Sequence, residues 1–457
     1  MNNATASSTP DVLIIGAGPA GIGAALCCRE HGLSVTVLDE QESPGGRIYR
    51  RHATAPGGAD SGQALIKAFL ASGAGYLSGT RVWQVDDDLA VHASTGEGSR
   101  QFRPRRIIVA TGALERPVPI PGWTLPGVMG AGAAQMLLKT ERLVPVGPAV
   151  LAGCGPLLYL LAQQLLHAGA DIAALVDTTP AGNYLRGAPY VFGALSQWPT
   201  LLRGMRIQWD IKRAGVAVYT GASGLSLLGD ERVSHISFTR GAGRLTLPAN
   251  LVLLHQGVVP DSQLTRALRA PHRWSGRQLC WQAQTDECGA LRGHPGIYLA
   301  GDGAAIAGAD AALLGGRLAA LDIALRLDRI DPARQAGEVK EIKRRLRRWQ
   351  RLRLFLDVLY RPARELRIPV HGDTTICRCE DVTLAAVRDY VNAGGRGINE
   401  FKSISRCGMG RCQGRFCHLT LTETLARESG SEPDAVGMMR ARFPIKPLTL
   451  GQLADKP

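Results

Sequence analysis

Five cysteines near the carboxyl end carry the clearest chemical signal in this sequence. Cys377 and Cys379 form a C-x-C pair, and Cys407, Cys412 and Cys417 follow in the segment RCGMGRCQGRFC. A gap of 32 residues separates Cys379 from Cys412. Thiolates are soft ligands, which hold zinc and iron–sulfur clusters well. The pattern therefore predicts a sulfur-ligated metal centre in this part of the chain.

The amino-terminal segment carries a second signal, a glycine turn between an apolar strand and a helix. The turn comprises Gly16, Gly18, Pro19, Ala20 and Gly21. Gly16 permits a tight turn, Gly18 lets the backbone approach a pyrophosphate, and Gly21 lets the helix pack closely on the strand. Asp39, which Glu40 follows, closes the next strand, where a carboxylate accepts hydrogen bonds from a ribose. The segment therefore predicts a dinucleotide-binding unit.

Three further motifs accompany this turn: the loop PGGR, the strand RRIIVATGALERP and the strand GIYLAGDG. Their residues of interest are Gly46, Arg47, Ala110, Thr111, Gly112, Gly301 and Asp302. In this order the motifs resemble the two-dinucleotide-domain flavoproteins, the family of glutathione and thioredoxin reductases. The resemblance covers roughly residues 10–325 and implies bound FAD. It puts Thr111 and Gly112 on a strand that crosses between domains, Asp302 near the ribityl phosphate, and the PGGR loop near the flavin.

A second copy of the strand–turn–helix pattern begins near residue 149. Gly153 and Gly155 form its turn, and Asp177 ends the following strand. Leu158 stands where Gly or Ala would let the helix pack tightly, so we expect it to push the helix away from the turn. The resemblance implies that this unit binds NAD(P)H. Two alternatives stay open, a purely structural pocket and a site for a non-reacting adenine nucleotide such as NAD(P) or ATP.

Disulfide reductase chemistry is disfavoured, because the redox-active cysteine pair of that family has no counterpart here. Cys27 and Cys28 are adjacent on the first helix, and Cys154 is expected to be a small core residue. No side chain is predicted to act as an acid or base on a substrate. His255 is a candidate only for tuning a flavin. Catalysis would come from the cofactor, which the protein positions.

The segment around the five cysteines resembles the bacterioferritin-associated-ferredoxin-like [2Fe–2S] module. In that module two cysteines in C-x-C join two more across a gap of about thirty residues. The implied ligands are Cys377, Cys379, Cys412 and Cys417. Cys407 packs nearby or substitutes for one ligand. A structural zinc site is the alternative, since four thiolates also suit a tetrahedral zinc ion.

Half of the net charge of +14 lies in one stretch, where residues 338–368 hold 11 Lys and Arg against 4 Asp and Glu. Apolar residues recur there every three or four positions, which predicts a connecting helix with a solvated basic face. That pattern favours packing, or docking of an acidic partner, over nucleic acid. No apolar run is long enough to span a membrane, and the polar start lacks the features of a signal peptide. We therefore expect a cytoplasmic protein without a membrane span.

Taken as a whole, the order of modules resembles the alpha subunits of hetero-oligomeric amine and imino-acid dehydrogenases. That family includes opine oxidases, proline and D-hydroxyproline dehydrogenases and hydrogen cyanide synthase. The resemblance implies a separate FAD-containing beta subunit that oxidises the substrate, and often a small ferredoxin-like gamma subunit. The alpha chain would pass electrons through its FAD and [2Fe–2S] cluster. The alternative function is a self-contained NAD(P)H-dependent reductase of an acceptor protein.

The expected fold is α/β, with two Rossmann-like domains and a small helical cysteine-cluster domain. The first dinucleotide-binding domain is expected to be split in sequence, because the G-D motif follows the second glycine turn. The predicted boundaries are 10–120 and 258–328 for the FAD domain, 121–257 for the NAD(P)-type domain, 329–370 for the basic helix, 371–430 for the cluster domain and 431–457 for a tail.

Overall fold

Short apolar runs form the strands that frame the chain. In the computed structural model, residues 9–50, 61–96 and 98–454 are described. Fully buried runs such as VLII and VTVL are typical of parallel strands that are covered on both faces. The strands are β1 (Val12–Ile15), β2 (Val35–Leu38), β3 (Gly75–Leu77), β4 (Arg81–Val85), β5 (Val91–Thr95), β6 (Gly98–Phe102), β7 (Arg106–Val109), β8 (Ala113–Glu115), β9 (Val128–Gly130), β10 (Ala149–Cys154), β11 (Ile172–Asp177), β12 (Ala217–Thr220), β13 (Ser223–Leu228), β14 (His235–Arg240), β15 (Gly243–Pro248), β16 (Leu251–Gln256), β17 (Val258–Pro260), β18 (His272–Ser275), β19 (Cys280–Ala283), β20 (Ile297–Leu299), β21 (Thr375–Cys377) and β22 (Val382–Thr383).

Helices fill the segments between the strands, and several begin with proline in the first turn, where its missing N–H costs nothing. Among the described residues, no helix combines the length and apolarity that crossing a membrane requires. The helices are α1 (Pro19–Glu30), α2 (Gly46–Tyr49), α3 (Ser61–Ala71), α4 (Ala131–Glu141), α5 (Pro156–His167), α6 (Ala181–Gly187), α7 (Val191–Ala194), α8 (Trp198–Arg213), α9 (Gln263–Ala267), α10 (Ala309–Arg326), α11 (Pro332–Leu359), α12 (Leu384–Asn392), α13 (Ile398–Ser405), α14 (Cys417–Glu428), α15 (Pro433–Val436) and α16 (Leu450–Ala454).

The first sheet is a five-stranded parallel sheet in the order β20-β7-β1-β2-β3. Strand β20 follows the entire second sheet in the sequence, yet it pairs in parallel with β7, with Ile297 opposite Ile107. The predicted split of the first dinucleotide-binding domain is therefore confirmed. The carboxyl ends of β1, β7 and β20 meet at one edge, which brings the G-x-G-x-x-G turn, the A-T-G motif and the G-D motif together.

The second sheet is also parallel, in the order β12-β11-β10-β16-β9. Its glycine turn follows β10, in the centre of the sheet, with α5 packed on one face. Smaller antiparallel sheets, β4-β5-β6 and β13-β14-β15, accompany the two parallel sheets. The predicted α/β class with two Rossmann-like units is therefore confirmed.

Helices α1 and α10 pack unusually closely, because glycines remove the side chains between them. A Cβ on Gly23 would lie 2.5 Å from the carbonyl oxygen of Leu313, and one on Gly316 would lie 1.9 Å from that of Ala20. These two helices connect the first glycine turn to the G-D motif. Their close packing therefore fixes how the two motifs stand relative to each other.

The basic stretch forms the single long helix α11, as predicted. Its apolar stripe is turned inwards, where Ile342, Leu352 and Leu359 are buried. The arginines at positions 344, 345, 347, 348 and 351 are exposed on the opposite side. The helix packs its amino-terminal part on α10 and its carboxyl-terminal part on α6 and α7. It therefore connects the first sheet to the second.

The cysteine segment folds as the predicted small helical unit, with the hairpin β21–β22 followed by α12, α13 and α14. Its core holds Leu384, Val387, Phe401 and Leu421 together with buried cysteines. Beyond α14 the chain returns to the antiparallel sheet β4-β5-β6 of the first domain, where the backbone N–H of Ile445 donates to the carbonyl of Trp83 at 3.0 Å. The last segment therefore attaches the cysteine unit to the first domain.

We expect Gly316→Ala to lower the free energy of unfolding by about 1–3 kcal/mol, because the new methyl group meets a backbone carbonyl that cannot move freely. Gly337→Ala is the matched control on α11, where a Cβ meets nothing within 4 Å, and it should stabilise the chain by about 1 kcal/mol. Thermal unfolding of the two variants measures both effects. Equal shifts in the same direction would contradict the packing described for α1 and α10.

Candidate functional site

The first glycine turn has the tight geometry that the sequence predicts. Gly16 adopts a positive φ of 104°, and a Cβ there would lie 2.6 Å from the carbonyl oxygen of Ala110. A Cβ on Gly21 would lie 1.9 Å from the carbonyl oxygen of Gly16. Only glycine fits either position, so helix α1 can start directly against the end of β1 and beside the A-T-G strand.

The amino terminus of α1 is suited to an anion. Among the described residues, no side chain caps this end and no acid occupies its first turn. The first N–H groups of the helix and its positive dipole end therefore face the space above the turn. A Cβ on Gly18 would meet nothing closer than the Cα of Gly46, 4.0 Å away. This cradle fits the pyrophosphate of FAD.

The carboxylate of Asp39 lies beside the turn, 5% exposed. It accepts hydrogen bonds from the backbone N–H of Ala17 at 2.8 Å and of Gln41 at 2.9 Å. Burial raises the pKa of Asp39. The adjacent Glu40 points instead to Lys446 in the last segment and forms an ion pair with it. Asp39 is therefore the carboxylate that the fold holds next to the turn.

The PGGR loop closes over the turn. The N–H of Gly45 donates to the carbonyl of Ala17 at 2.8 Å, and a Cβ on Gly46 would lie 2.9 Å from the Cα of Gly18. The Arg47 guanidinium donates to the carbonyl of Ala113, just beyond the A-T-G motif. The loop thus bridges the glycine turn and the crossing strand.

The A-T-G and G-D motifs complete this edge of the first sheet. The N–H of Ala110 donates to the carbonyl of Ile15 at 2.9 Å, which holds the crossing strand beside β1. The Oδ1 atom of Asp302 accepts the N–H groups of Ala307 at 2.8 Å and Gly308 at 3.1 Å, just before α10. Asp302 therefore shapes the entry to that helix, next to the space that the flavin and ribityl chain would occupy.

The second glycine turn differs from the first. Gly155 precedes α5 with a positive φ of 107°, whereas Gly18 has a φ of −77° at the same place before α1. Leu158 lies in the first turn of α5 and is fully buried, at the position that Gly21 holds in the first unit. The second turn therefore differs from the first both in the backbone conformation of its second glycine and in having Leu158 in place of a glycine.

Polar groups of the second unit are already bonded within the chain. Asp177 is 2% exposed, accepts the Tyr159 hydroxyl, and accepts the N–H of Thr179 at 2.7 Å. The Cys154 thiol, whose pKa burial raises to about 12, donates to Gln256 and to the carbonyl of Tyr360 at the end of α11. Cys154 is therefore a protonated core residue, and α11 reaches the glycine turn itself.

A cavity of about 310 Å³ lies between this turn and the start of α10. Helix α11 supplies one wall, which includes Trp349, Leu356 and Tyr360. His255 also lines it, and its Nδ1 lies 2.7 Å from the Glu115 carboxylate. A nicotinamide that extended from the second turn towards the flavin would share this space with α11.

All five cysteines of the carboxyl-terminal unit form one contiguous group. The sulfurs of Cys377, Cys407 and Cys417 lie within 4.8 Å of one another. Cys412 lies beside Cys417 and Cys379, and these neighbouring thiols lower the pKa of Cys412. Sulfurs bound at about 2.3 Å to one tetrahedral metal stand about 3.8 Å apart, so the donor set fits a sulfur-ligated centre.

Backbone N–H groups also point at these sulfurs. Those of Gly408 and Cys379 lower the pKa of Cys377, and those of Phe416 and Gly414 lower the pKa of Cys412. Such bonds favour thiolates and are one of the means by which proteins tune iron–sulfur clusters. Thiols of Cys407 and Cys417, with this backbone support, hold the pKa of Cys377 far below its ordinary value.

The structure places Cys407 deeper in the group than its spacing indicated. It is fully buried and contacts Cys377 and Cys417, whereas Cys379 is exposed and Cys412 is half-buried. The sequence could show a fifth cysteine but not its depth, because the turn at Arg406 that directs it inwards has a positive φ of 59°. The Cys379 side of the group faces solvent.

A route of hydrogen bonds connects the A-T-G motif to the cysteine loop. The N–H of Asp261 donates to the carbonyl of Gly112 at 3.0 Å, and Oδ1 of Asp261 accepts the N–H of Gln263 at 3.2 Å. The Gln263 side chain donates to the carbonyl of Gln413 at 3.4 Å. Gln413 follows Cys412 directly. No sequence motif marks Asp261 or Gln263, so neither was among the predicted site residues.

The chain matches known families at both ends. Residues 10–181 match the pyridine nucleotide-disulphide oxidoreductase family, and residues 372–456 match the sarcosine oxidase A3 domain. An opine oxidase subunit from Agrobacterium tumefaciens is 41% identical, over 98% of this chain and 92% of that protein. The hydrogen cyanide synthase subunit HcnB from Pseudomonas aeruginosa is 31% identical, over 95% and 96% respectively.

A solved structure shares the fold. The L-proline dehydrogenase from P. horikoshii superposes with a TM-score of 0.70 at 20% identity, and the match covers 97% of this chain and 79% of the other. The relatives match nearly the whole length of this chain, which includes both glycine turns and the cysteine unit. The chain therefore belongs to the family of these opine oxidase and hydrogen cyanide synthase subunits, which are FAD-dependent oxidoreductases that act on amine donors within a complex.

Proposed function

We propose that this chain is the electron-relaying alpha subunit of a multi-subunit dehydrogenase. A catalytic, FAD-containing beta subunit oxidises an amino-acid-derived amine, such as an opine, proline, hydroxyproline or glycine. The alpha chain takes the electrons at its own FAD site and delivers them through its cysteine centre. A small ferredoxin-like gamma subunit completes the proposed assembly, which we assign to the cytoplasm.

The residues proposed to hold FAD are those gathered at the edge of the first sheet. Gly18 and the start of α1 receive the pyrophosphate, Asp39 lies beside the adenosine ribose, and Asp302 lies beside the ribityl phosphate. A flavin accepts electrons in pairs and can release them singly, which suits a relay between an organic donor and a one-electron carrier. The chain supplies position and electrostatics, and none of its side chains is assigned as an acid or base.

The centre proposed at the cysteines is a [2Fe–2S] cluster. Cys377, Cys379, Cys412 and Cys417 remain the proposed ligands, and Cys407, from its buried place, is the alternative to Cys379. A cluster of this kind carries one electron at a time without a proton. The exposed Cys379 side is the proposed exit for electrons. Zinc is the competing occupant, because the same sulfurs would also suit it.

The observation that carries the proposal is the hydrogen-bonded route from Gly112 to Gln413. It connects the proposed flavin edge to the residue beside Cys412 without leaving the protein. A metal centre that only stabilised the fold would not need this proximity to the A-T-G strand. The arrangement therefore supports transfer between two centres in one chain.

The proposed amine oxidation releases two electrons and two protons. The amine loses the hydrogens of its C–H and N–H bonds, and a C=N bond forms. The two electrons pass through the alpha chain one after the other. They leave to a one-electron acceptor protein, while the protons go to solvent.

Features of the second nucleotide unit favour a partner subunit over NAD(P)H as the source of electrons. Its turn is altered at Leu158, its acid Asp177 is internally bonded, and α11 shares the space between Gly155 and the start of α10. A non-reacting adenine nucleotide, NAD(P) or ATP, is our second proposal for the pocket, in which Arg277 and Arg353 would face it.

An exposed apolar surface supports a large partner. Between residues 181 and 213, ten large side chains are exposed, which are Tyr184, Leu185, Tyr190, Val191, Phe192, Leu195, Trp198, Leu202, Met205 and Trp209. This segment contains five basic residues and only one acidic residue, and it packs beside the basic face of α11. Apolar patches of this kind mark interaction sites. We assign the surface to the beta subunit, with an acidic rim, since a second copy would oppose like charges.

We expect Cys412→Ser to remove the visible absorption of the cluster and to leave that of the flavin unchanged, because Cys412 belongs to a different unit from the cofactor-binding turn. Cys288→Ser, outside the cysteine group, is the control and should leave the absorption of both the cluster and the flavin unchanged. The iron and labile sulfide contents of each variant are measured together with its absorption spectrum. A zinc-containing protein without labile sulfide would contradict the cluster, and full absorption in Cys412→Ser with loss in Cys407→Ser would contradict the ligand set.

The function is tested on the native assembly, purified through a tag on this chain. We expect a second flavoprotein to co-purify, and an opine, proline, hydroxyproline or glycine to bleach the flavin under argon. The chain alone should not oxidise these amines, and neither NADH nor NADPH should bleach its flavin rapidly. Full amine oxidation by the chain alone, or rapid bleaching by a nicotinamide, would contradict the proposal.

The same purification tests the apolar surface. Trp209→Glu should reduce the amount of second flavoprotein retained by more than about tenfold, since burying a carboxylate in an apolar contact is costly. Leu70→Glu is the control, because Leu70 is 58% exposed, close to the 56% of Trp209, but lies on α3 of the first domain. If both variants retained equal amounts of the second flavoprotein, the assignment of this surface to the beta subunit would be wrong.

A further inference from the structure

A buried arginine faces the cysteine group from the flavin side. Arg266 lies on the short helix α9, three residues beyond Gln263, and is 2% exposed. Its Nε and one terminal nitrogen, Nη2, make no hydrogen bond, and among the described residues Arg266 forms no ion pair. A buried cation that lacks a paired anion destabilises the folded chain. The fold therefore holds this charge in place for an anion.

The loop between Cys412 and Cys417 lies against this arginine. A Cβ on Gly414 would stand 3.5 Å from the free Nη2 of Arg266, which is ordinary van der Waals contact, so this loop packs directly against the guanidinium. Asp261 and the sulfurs of Cys412 and Cys417 favour the charged form of this guanidinium. Among the described residues Asp261 forms no ion pair with Arg266, so its carboxylate compensates the charge without direct contact. Cysteine thiolates that hold a metal would supply further negative charge beside the guanidinium.

The guanidinium is charged at neutral pH. An arginine side chain keeps its proton throughout the ordinary pH range. The charge thus persists under conditions in which the protein works. Four thiolates around iron and sulfide make an anionic centre, which becomes more negative on reduction.

We propose that Arg266 is a positioning residue that compensates the charge of the cysteine centre and raises its reduction potential. A fixed positive charge favours the more negative, reduced state, and it acts strongly where solvent is excluded. The electron would then pass from the flavin side to the cluster with a more favourable free energy. The inference rests on the proposed [2Fe–2S] centre and adds a residue that no motif marks.

The test compares Arg266→Gln and Arg266→Lys in the full chain, with Arg396→Gln as control. Arg396 lies in the cysteine unit itself but is exposed, so solvent screens its charge. An electron-paramagnetic-resonance redox titration should show a more negative midpoint potential for Arg266→Gln, a near-normal one for Arg266→Lys and no change for Arg396→Gln. Iron and labile sulfide per chain give a second readout.

Each outcome of this comparison has a distinct meaning. Loss of the cluster from Arg266→Gln but not from Arg266→Lys also supports the proposal, because the anionic centre then depends on the charge. Loss from both, an unchanged midpoint in Arg266→Gln, or an equal shift in the control would overturn it. If the unaltered chain holds no reducible cluster, the proposed function fails instead.

Discussion

The contact between helix α9 and the loop around Cys412 is the constraint on which the functional arrangement depends. Gln263 bonds to that loop, Arg266 faces it, and Asp261, just before the helix, bonds to the A-T-G strand. The cysteine unit is thus attached to the edge of the first sheet where we propose that the flavin binds. Any change that separated this contact would leave two intact sites without a path between them.

The rest of the fold keeps the two sides of this contact still. Glycines at positions 23 and 316 bring α1 and α10 together and so fix the glycine turn against the G-D motif. The last segment returns from the cysteine unit to the first domain, where Lys446 pairs with Glu40. Helix α11 spans both sheets and reaches the second glycine turn through Tyr360. In the proposed function, the second Rossmann unit serves as a structural support for the relay.

Much of the first site could be predicted from the sequence, because its glycines stand where a side chain would collide with nearby backbone atoms. The positive φ of Gly16 and the contacts that exclude a side chain at Gly21 follow from a turn of six residues. The domain split was likewise predictable from motif order, and a cysteine centre near the carboxyl end was predictable from the spacing of its cysteines. That the second turn departs from the first could also be read from the sequence, because Leu158 replaces the glycine or alanine expected at that position.

Features that depend on distant parts of the chain could not be predicted. Cys407 looked peripheral by spacing, yet a left-handed turn at Arg406 buries it among the other cysteines. Arg266 sits in an ordinary helical segment, and its importance arises only where Gly414, far along the chain, packs against it. The approach of α11 to Cys154 is a tertiary contact that neither segment encodes alone.

The order of electron arrival tests the proposed relay most directly. The native assembly is mixed rapidly with its amine substrate under argon, and flavin absorbance is followed together with the freeze-quenched paramagnetic signal of the cluster. We expect the cluster signal to rise after flavin reduction begins, and the flavin of Cys412→Ser to stay reduced without that signal. A cluster that remains oxidised through turnover, or that is reduced equally well in a chain lacking flavin, would contradict a relay from flavin to cluster.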